Sequence, residues 1–304
     1  MTRVVTIVVT YNGSRWIKRC LEHLLESDTR TDIILLDNKS TDDTYQILVP
    51  FLDKIDFVQL PSNLGFGGAN NIGLKRALEA GYTHIFLLNQ DAYIQQDCIS
   101  KLLATLQSEP DFGIISPVQL DPSGLKMDGV FHNQVKKHYS PDGETLLNQL
   151  KSKNIARAIE VRFVGAASWF ISAEMIKKVG GFHPVFFHYG EDNNLAARAQ
   201  YFGFKIGVQA TTAMIHDRKI RDNKQFLPIK LRSFPLHQLL DIRKPFALAW
   251  IVGYNQLVRT WKKLQKTTGD QYNGQYLEAK KWFFNEIKKA KAVREEMKKG
   301  LPRV

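Results

Sequence analysis

The chain has 304 residues, a mass of 34.8 kDa and a formal net charge of +12. This length can bury the core of one large α/β domain together with a smaller appended region. With 44% hydrophobic and 24% charged residues, the composition is typical of a soluble globular protein. No apolar run reaches the roughly 20 residues of a membrane-spanning helix, and no signal-peptide pattern precedes the first strand, so we predict a cytoplasmic protein.

The positive charge is concentrated towards the end of the chain. Residues 255–304 are rich in lysine and arginine, whereas the first hundred residues are close to balanced. Such an excess is typical of proteins with an anionic partner, which can be nucleic acid, a phosphorylated ligand or a lipid surface. No nucleic-acid recognition motif accompanies the charge, so we expect no nucleic-acid partner.

Strand-like and helical patterns alternate over the first 120 residues. They predict strands at 4–10, 33–37, 57–60 and 85–88, and helices at 15–25, 42–52, 67–80 and 98–107. This alternation with short loops predicts an α/β fold with a doubly wound, mostly parallel sheet and helices on both faces. In such sheets ligands bind at the carboxyl ends of the strands.

The rest of the chain divides into three parts. Residues 121–155 are polar and carry several glycines and prolines, which predicts a long irregular connection. Residues 161–216 return to core character, and after Asp222 the pattern becomes helical and basic. We therefore divide the chain into an α/β domain at 1–222 and a basic helical region at 223–304.

Polar or glycine-rich segments follow the first three predicted strands. They are Thr10–Gly13, Asp37–Asp42 and Asn63–Gly73. Glycines at a helix N-terminus let backbone N–H groups approach a phosphate, although this spacing is not the dinucleotide fingerprint G-x-G-x-x-G. Each segment alone is explained by an ordinary turn with a helix cap. Three of them at one edge of a sheet indicate a nucleotide site.

Acidic residues occupy two further positions. Asp91 follows four apolar strand residues, where a carboxylate suits Mg²⁺ or Mn²⁺, and a cap for the next helix is the competing interpretation. Glu191 and Asp192 end an aromatic, turn-rich run just before a helical pattern. One acid that holds a divalent cation and another that accepts a proton are what group transfer from a phosphate ester requires.

Six segments follow one another over roughly residues 4–218: VVTYNG, LLDNKSTDDT, SNLGFGGANNIG, LLNQDAY, VGGFHPVFFHYGED and MIH. In this order they resemble glycosyltransferase family 2, and most closely its bacterial rhamnosyltransferase-like members. The resemblance implies a GT-A fold, a nucleoside-diphosphate sugar donor, a Mn²⁺ or Mg²⁺ ion and inversion at the anomeric carbon. It also implies UDP or dTDP as the carrier of the sugar, and a glycan or lipid-linked acceptor used in cell-surface polysaccharide synthesis.

The resemblance also implies roles for individual residues. Those expected along the donor are Thr10, Tyr11 and Asp37 at the base and ribose, Asn63, Gly65 and Asn71 at the diphosphate, and Asn12, Gln90 and Gly165 elsewhere. Gly165 and Ala166 match a small-residue strand that borders the donor sugar. Asp91 and His216 would bind the metal, and Asp192, beside Glu191, would act as the general base.

The acceptor is expected to meet Trp169, His188 and Tyr189, together with Glu191. Because aromatic rings are found in cores as well as at binding sites, the sequence leaves Trp169 open between the acceptor site and the core.

The chain departs from the family pattern at two positions. Where many members carry a first acid in the metal motif, this chain has Asn89, so Asp91 is the single carboxylate there. Where many relatives carry an acid two residues after the expected base, this chain has Asn194.

These departures sustain an alternative function, a catalytically degenerate protein that binds a sugar nucleotide or serves as a scaffold. A sugar nucleotidyltransferase, a second enzyme class with a nucleotide-binding α/β domain, is disfavoured. It would require a glycine-rich first loop with catalytic arginine and lysine, and Thr10–Gly13 lacks both.

The basic helical region contains a short apolar segment, Phe246–Tyr254, followed by arginine and lysines. This segment is too short to span a bilayer, but it has the composition of a segment that lies in the membrane interface. Two interpretations are equally supported by the sequence: a helix that packs on the α/β domain with a solvated basic face, and attachment to the inner face of the cell membrane.

Overall fold

The computed structural model describes residues 2–138, 157–218 and 223–304, with side chains described outside 137–138 and 223–228. The strands are β1 (Val4–Thr10), β2 (Asp32–Asp37), β3 (Asp56–Gln59), β4 (His84–Asn89), β5 (Ala92–Ile94), β6 (Phe112–Leu120), β7 (Ile159–Val161), β8 (Ser168–Ser172) and β9 (Lys205–His216). The helices are α1 (Ile17–Leu25), α2 (Thr44–Leu48), α3 (Gly65–Glu79), α4 (Cys98–Ser108), α5 (Gly129–His138), α6 (Ala173–Val179), α7 (Glu191–Tyr201), α8 (Asn223–Leu239), α9 (Phe246–Thr268), α10 (Asn273–Asn285) and α11 (Ile287–Lys298). Short 3₁₀ turns follow α2 at Val49–Phe51 and α9 at Gly269–Tyr272.

One mixed sheet organises the first two described ranges, in the order β3-β2-β1-β4-β8-β6-β9-β5, with β7 also paired to β9. The strands β1 to β4 are mutually parallel, and β6 pairs parallel with β9. Because β8 runs antiparallel to both β4 and β6, the strands β4, β6 and β9 point the same way. The carboxyl ends of β1, β2, β4, β6 and β9 therefore lie along one edge of the sheet.

Two hydrophobic layers cover the faces of this sheet. On one face α3, α5, α6 and α7 bury side chains such as Leu74, Phe131 and Leu195. On the other face α1, α2 and α4 bury side chains such as Leu21 and Leu102. Strands buried on both faces read as continuous apolar runs, which explains Ile33–Leu36 in β2.

Helices α8 to α11 form a third hydrophobic cluster of their own. Its centre includes Leu239, Leu257, Phe283 and Met297, and it reaches the α/β domain through Phe186. A buried carboxylate, Asp241, pairs with Arg243 and Lys244, and these cations hold its pKa well below the usual range. In the described parts of the chain, no helix combines the length and apolarity needed to cross a bilayer.

The structure confirms the predicted alternation in the first 120 residues and corrects the sequence interpretation beyond it. Each of the eight predicted strands and helices is present. Their ends agree within about two residues when the 3₁₀ turn Val49–Phe51 is counted with α2, whose α-helical residues end at Leu48. The prediction of an irregular connection at 121–155 was wrong, because this range contains α5, whose Phe131 and Val135 are fully buried. Residues 139–156 lie outside the described residues. The division of the chain at residue 222 stays a prediction.

Candidate active site

The loops after β1 and β4 are joined by the side chain of Gln90. Its Oε1 accepts hydrogen bonds from the Thr10 hydroxyl at 2.6 Å and from the Tyr11 N–H at 3.0 Å, and its Nε2 donates to the Tyr11 carbonyl at 3.2 Å. A Cβ at Gly13 would lie 2.2 Å from the same Oε1, so a larger residue cannot replace this glycine without disrupting the junction. Thr10 is buried, whereas the Tyr11 ring is exposed and free to meet a ligand.

The loop after β2 forms a second junction beside the first. Asp37 is buried and accepts hydrogen bonds from the Ser40 N–H at 3.0 Å and from the Ser40 hydroxyl at 2.5 Å. Ser40 also accepts from the Asn12 N–H at 2.9 Å, which links this junction to the β1 loop. Five of the residues predicted along the donor, from Thr10 to Gln90, are thus brought into one hydrogen-bonded edge: Thr10, Tyr11, Asn12, Asp37 and Gln90.

Asn63 connects this edge to the start of α3. Its Oδ1 accepts hydrogen bonds from the Asn38 side chain at 3.0 Å and from the Gly65 N–H at 2.9 Å. Gly65 has a φ of +72°, and a Cβ there would lie 2.3 Å from the Phe187 carbonyl. The glycine is therefore required by close packing against the 182–191 segment, which sequence reasoning had explained only by access to a phosphate.

Asn71 and Gly67 also hold α3 against the 182–191 segment. The Asn71 side chain exchanges two hydrogen bonds of 2.8 Å with the backbone of Phe182. A Cβ at Gly67 would come within 2.9 Å of Phe182 and 3.6 Å of Glu191. The Asn71 amide thus already has protein partners, and α3 is the element that positions the start of α7.

Asp192 lies against the turn formed by Gly165 and Ala166. The Ala166 N–H donates to its carboxylate, and a Cβ at Gly165 would be 3.8 Å from its Oδ2. Gly165 and Ala166 belong to a turn before β8 rather than to the expected strand. Because the Asn89 N–H donates to the Ala167 carbonyl at 2.9 Å, this turn adjoins the end of β4 and the segment that carries Asp91.

The two acids at the start of α7 have distinct surroundings. Asp192 accepts from the Asn193 N–H at 2.7 Å and from the Asn193 side chain at 3.0 Å, whereas Glu191 Oε2 is buried without a hydrogen-bond partner among the described residues. Burial, and then the neighbouring Asp192 charge, raises the pKa of Glu191 to about 8. Burial also raises the pKa of Asp192, against the opposing effect of its hydrogen bonds.

Asp91 and His216 are adjacent at the same edge of the sheet. His216 ends β9, and its Nε2 lies 3.5 Å from Asp91 Oδ1, with both side chains largely buried. The His216 Nδ1 is buried without a hydrogen-bond partner in the described residues. One carboxylate oxygen and one imidazole nitrogen at this separation fit a shared divalent cation.

The side chains around Asp91 and His216 limit which further protein groups could bind a cation held by this pair. The carboxylate of Asp217 is held by the Tyr93 hydroxyl at 3.1 Å and by Arg15 at 3.5 Å. Within the described ranges, no group of three histidine, cysteine or acidic side chains has the geometry of a metal site. Other coordination positions would fall to phosphate oxygens and water, which is usual for Mg²⁺ at nucleotide sites.

The residues expected at the acceptor differ in their exposure. His188 and Tyr189 are half-buried, with ring centroids 4.1 Å apart, and Tyr189 has a φ of +68°. Trp169 is fully buried: its indole N–H donates to the Val164 carbonyl at 3.1 Å, and its ring stacks near Phe182. Trp169 therefore presents no surface to an acceptor and supports the site from the core.

Several supporting residues were missed by sequence reasoning. Gln134 of α5 accepts from the Gly165 N–H at 2.9 Å, and Gln119 of β6 donates to the Gly165 carbonyl at 3.2 Å. Asp128 caps α5 by accepting from two backbone N–H groups at 2.9 Å, and it also binds Arg218, two residues beyond His216. The only local signal was the polar character of 121–155, which does not distinguish a supporting helix from a loop.

The chain belongs to the family described as glycosyl transferase family 2, because the family model matches residues 5–179, more than half of the chain. This range includes the β1, β2, β3 and β4 loops, Asp91 and the Gly165–Ala166 turn.

Two curated relatives cover most of the chain. The O-antigen chain rhamnosyltransferase WbaN of Salmonella anatum is 25% identical over 74% of this chain and 70% of its own length. The dTDP-rhamnosyl transferase RfbF of Shigella flexneri is 23% identical over 81% of this chain and 80% of its own length. The predicted resemblance to rhamnosyltransferase-like members is confirmed, and the protein is a glycosyltransferase.

Solved structures confirm the GT-A fold. TarS 1–349 of S. aureus in complex with UDP-GlcNAc superposes with a TM-score of 0.63 at 16% identity, over 97% of this chain and 86% of that chain. The mannosyltransferase PcManGT of Pyrobaculum calidifontis, in complex with GDP-Man and Mn²⁺, gives a TM-score of 0.61 at 16% identity, over 96% of this chain and 86% of that chain. At these identities the likeness establishes the fold alone.

Proposed function

We propose that the protein is an inverting glycosyltransferase that moves a sugar from a UDP- or dTDP-sugar to a hydroxyl of a glycan or lipid-linked acceptor in cell-surface polysaccharide synthesis. The observation that carries the proposal is the placement of Asp192 against the Gly165–Ala166 turn, at the same sheet edge as Asp91 and His216. The names of the relatives WbaN and RfbF support the polysaccharide context and the dTDP carrier, and the UDP-GlcNAc complex of TarS supports UDP.

In the proposed reaction, the acceptor oxygen forms a bond to the anomeric carbon while the bond from that carbon to the donor phosphate oxygen breaks. Asp192 takes the hydroxyl proton, and the nucleoside diphosphate leaves with the bonding electron pair. General-base assistance of this kind contributes roughly 10²–10⁴-fold in rate. Hydrogen bonds from Ala166 and Asn193 orient the carboxylate and oppose the rise in its pKa that burial causes.

A divalent cation belongs to the proposal, with Asp91 and His216 as its protein ligands. When bound, it neutralises charge on the leaving diphosphate. The Mn²⁺ complex of PcManGT supports this assignment, and the 3.5 Å separation of the two side chains is compatible with it. The protein would hold the base and ribose through the junction around Tyr11 and Asp37, whose loops are tied together by Gln90 and Ser40.

We further propose a cytoplasmic protein that works at the inner face of the cell membrane, where a lipid-linked acceptor would be presented. His188 and Tyr189 are the proposed acceptor contacts, because they lie half-exposed in the turn that precedes Glu191. The competing function is a degenerate sugar-nucleotide-binding or scaffold protein. Its support is the amide at Asn89 and the amide at Asn194, where many relatives carry acids.

Substitution of Asp192 by Asn tests the proposed base. Calorimetric titration with nucleoside diphosphates and their sugars, with and without Mn²⁺, identifies the donor, and transfer is then measured with that donor. We expect Asp192→Asn to retain donor binding within a few fold and to lose at least about a hundredfold in turnover. Glu174→Gln, a matched change on the exposed face of α6, should alter neither.

The outcomes separate the two functions. Loss of both binding and turnover in a folded Asp192→Asn variant would show that Asp192 is structural. Failure of the folded wild-type protein to bind any nucleoside diphosphate would favour the scaffold, whereas donor binding without turnover would favour the degenerate sugar-nucleotide-binding protein.

A further inference from the structure

Helices α9 and α10 expose an unusual amount of apolar surface. The exposed fractions are 48% for Leu248, 49% for Ile251, 56% for Leu277 and 41% for Phe284. Leu248 and Ile251 lie three residues apart on α9, and Leu277 and Phe284 lie seven apart on α10, so each pair occupies one side of its helix. We call these four residues the α9–α10 face.

A packed aromatic layer supports this face from beneath. The Phe284 ring lies 5.9 Å from the Trp250 ring and 5.6 Å from the Tyr254 ring, measured between centroids. Nearer the other end of the helix pair, Trp261 stacks on Tyr276 at 4.4 Å. Phe284 therefore packs on this aromatic layer while 41% of its surface remains exposed.

Cations that form no ion pair among the described residues are carried by the same two helices. Residues 246–304 contain thirteen lysines and arginines against five acidic residues. Among the described residues, Arg259, Lys262, Lys280 and Lys281 form no ion pair, whereas Lys289 and Lys298 farther along the chain pair with Glu286 and Glu295. Lys280 and Lys281 precede Phe284 by one helical turn, so positive charge and apolar surface are presented together.

The combination of exposed apolar side chains and nearby cations indicates which kind of partner binds the α9–α10 face. Exposed aliphatic and aromatic side chains with flanking lysines match the interface of an anionic bilayer, where carbon enters the acyl boundary and ammonium groups meet lipid phosphates. A second copy of this chain fits less well, because a twofold contact would place the same cations opposite one another. We propose that the α9–α10 face binds the protein to an anionic lipid surface without crossing it.

This inference adds the contact surface to the proposed membrane location, and it rests on the proposed function only for the reason a membrane is needed. Its test contains no sugar donor, so its failure is distinguishable from failure of the transferase assignment. The full chain is sedimented with phosphatidylcholine vesicles and with vesicles that also contain phosphatidylglycerol. We expect binding to the anionic vesicles and at least about tenfold weaker binding to the neutral ones.

Two variants separate the apolar and the charged contributions. Ile251→Glu combined with Phe284→Glu, and Lys280→Glu combined with Lys281→Glu, should each weaken binding to anionic vesicles by at least about tenfold. Leu125→Glu is the control, because Leu125 is an 85% exposed aliphatic residue outside the helical region. Circular dichroism and thermal unfolding confirm that each variant is folded.

Three results would overturn the proposal. They are equal binding of the wild-type protein to both vesicle types, wild-type affinity in both double variants, and a loss equal to theirs in Leu125→Glu. Analytical ultracentrifugation supplies a further check: a wild-type dimer that dissociates in the Ile251→Glu, Phe284→Glu variant would assign the face to a second copy.

Discussion

Glu191 and Asp192 are neighbours in sequence, and burial raises the pKa of both, but hydrogen bonds from neighbouring residues oppose this rise at Asp192. Asp192 receives hydrogen bonds from Ala166 and Asn193, which favour the ionised form that a base requires. Glu191 lies against Gly67, and its buried Oε2 lacks a partner among the described residues. Since two carboxylates this close resist ionising together, a neutral Glu191 helps Asp192 to remain charged.

The pH dependence of stability tests this division of roles. The folded-state pKa of Glu191, about 8, lies above its ordinary value of 4.5. The folded state therefore binds more protons than the unfolded state between these values, and the free energy of unfolding should fall as pH rises through this window. Glu191→Gln removes this titration, so the variant should gain stability relative to wild type from about pH 5 to pH 8.

Urea unfolding at a series of pH values measures the effect. Glu174→Gln, an exposed carboxylate on α6, should leave the wild-type pH slope unchanged. If Glu191→Gln showed the full wild-type slope, the pH dependence would come from other groups, such as Asp192, and Glu191 would not have a raised pKa in the folded protein.

At the scale of the element, α7 links the site to the end of the chain. Arg198 is fully buried on this helix and donates to Asn194 Oδ1 at 3.0 Å, to the Val179 carbonyl at 2.8 Å and to the Gly181 carbonyl. Burial lowers its pKa to about 9, and no carboxylate pairs with it in the described residues. The helix that carries the proposed base is thus anchored by a cation with neutral partners.

Asn194→Asp should supply the missing anion one helical turn from Arg198. A charge-assisted hydrogen bond would replace a neutral one, and we expect about 1–2 kcal/mol of added stability at pH 7. Because the pairing would depress the folded-state pKa of the new carboxyl, the gain should be present above about pH 4 and disappear as pH falls through the depressed value.

Thermal and urea unfolding of Asn194→Asp measure this gain, with Asn133→Asp on the exposed surface of α5 as the matched change. Equal or lower stability in Asn194→Asp at pH 7 would show that desolvation of the new carboxylate exceeds its attraction to Arg198.

At the scale of the whole molecule, local signals predicted some of the architecture well. The strands β1 to β4 and their helices were predictable because each is a short run with its own hydrophobic period. Helix α5 was missed because its buried side chains, Phe131 and Val135, stand among polar residues and join a core whose other members are distant in sequence. The antiparallel strand β8 was equally hidden, since its position between β4 and β6 depends on long-range pairing.

In the site, too, features carried by local motifs were predictable from the sequence, and features that depend on long-range packing were not. Motif order located Asp91, Asp192 and His216, and the structure places Asp192 beside Ala166 and Asp91 beside His216. The burial of Trp169 could not be read from its neighbours, because an aromatic residue after a glycine turn suits a ligand wall and a core equally. The packing role of Gly65 could not be predicted from its neighbours either, because it depends on the carbonyl of Phe187, more than a hundred residues away.

The proposed metal site is a property of the whole fold, since Asp91 and His216 are separated by more than a hundred residues and meet only through the pairing of β5 with β9. We expect His216→Gln to weaken Mn²⁺ binding by about ten- to a hundredfold, measured by calorimetry in the presence of the nucleoside diphosphate. His84→Gln is the matched control, because His84 stands at the opposite end of β4. Unchanged Mn²⁺ affinity in a folded His216→Gln variant would mean that the His216 imidazole pairs with Asp91 without binding the ion, and that phosphate oxygens, water and one carboxylate suffice to hold it.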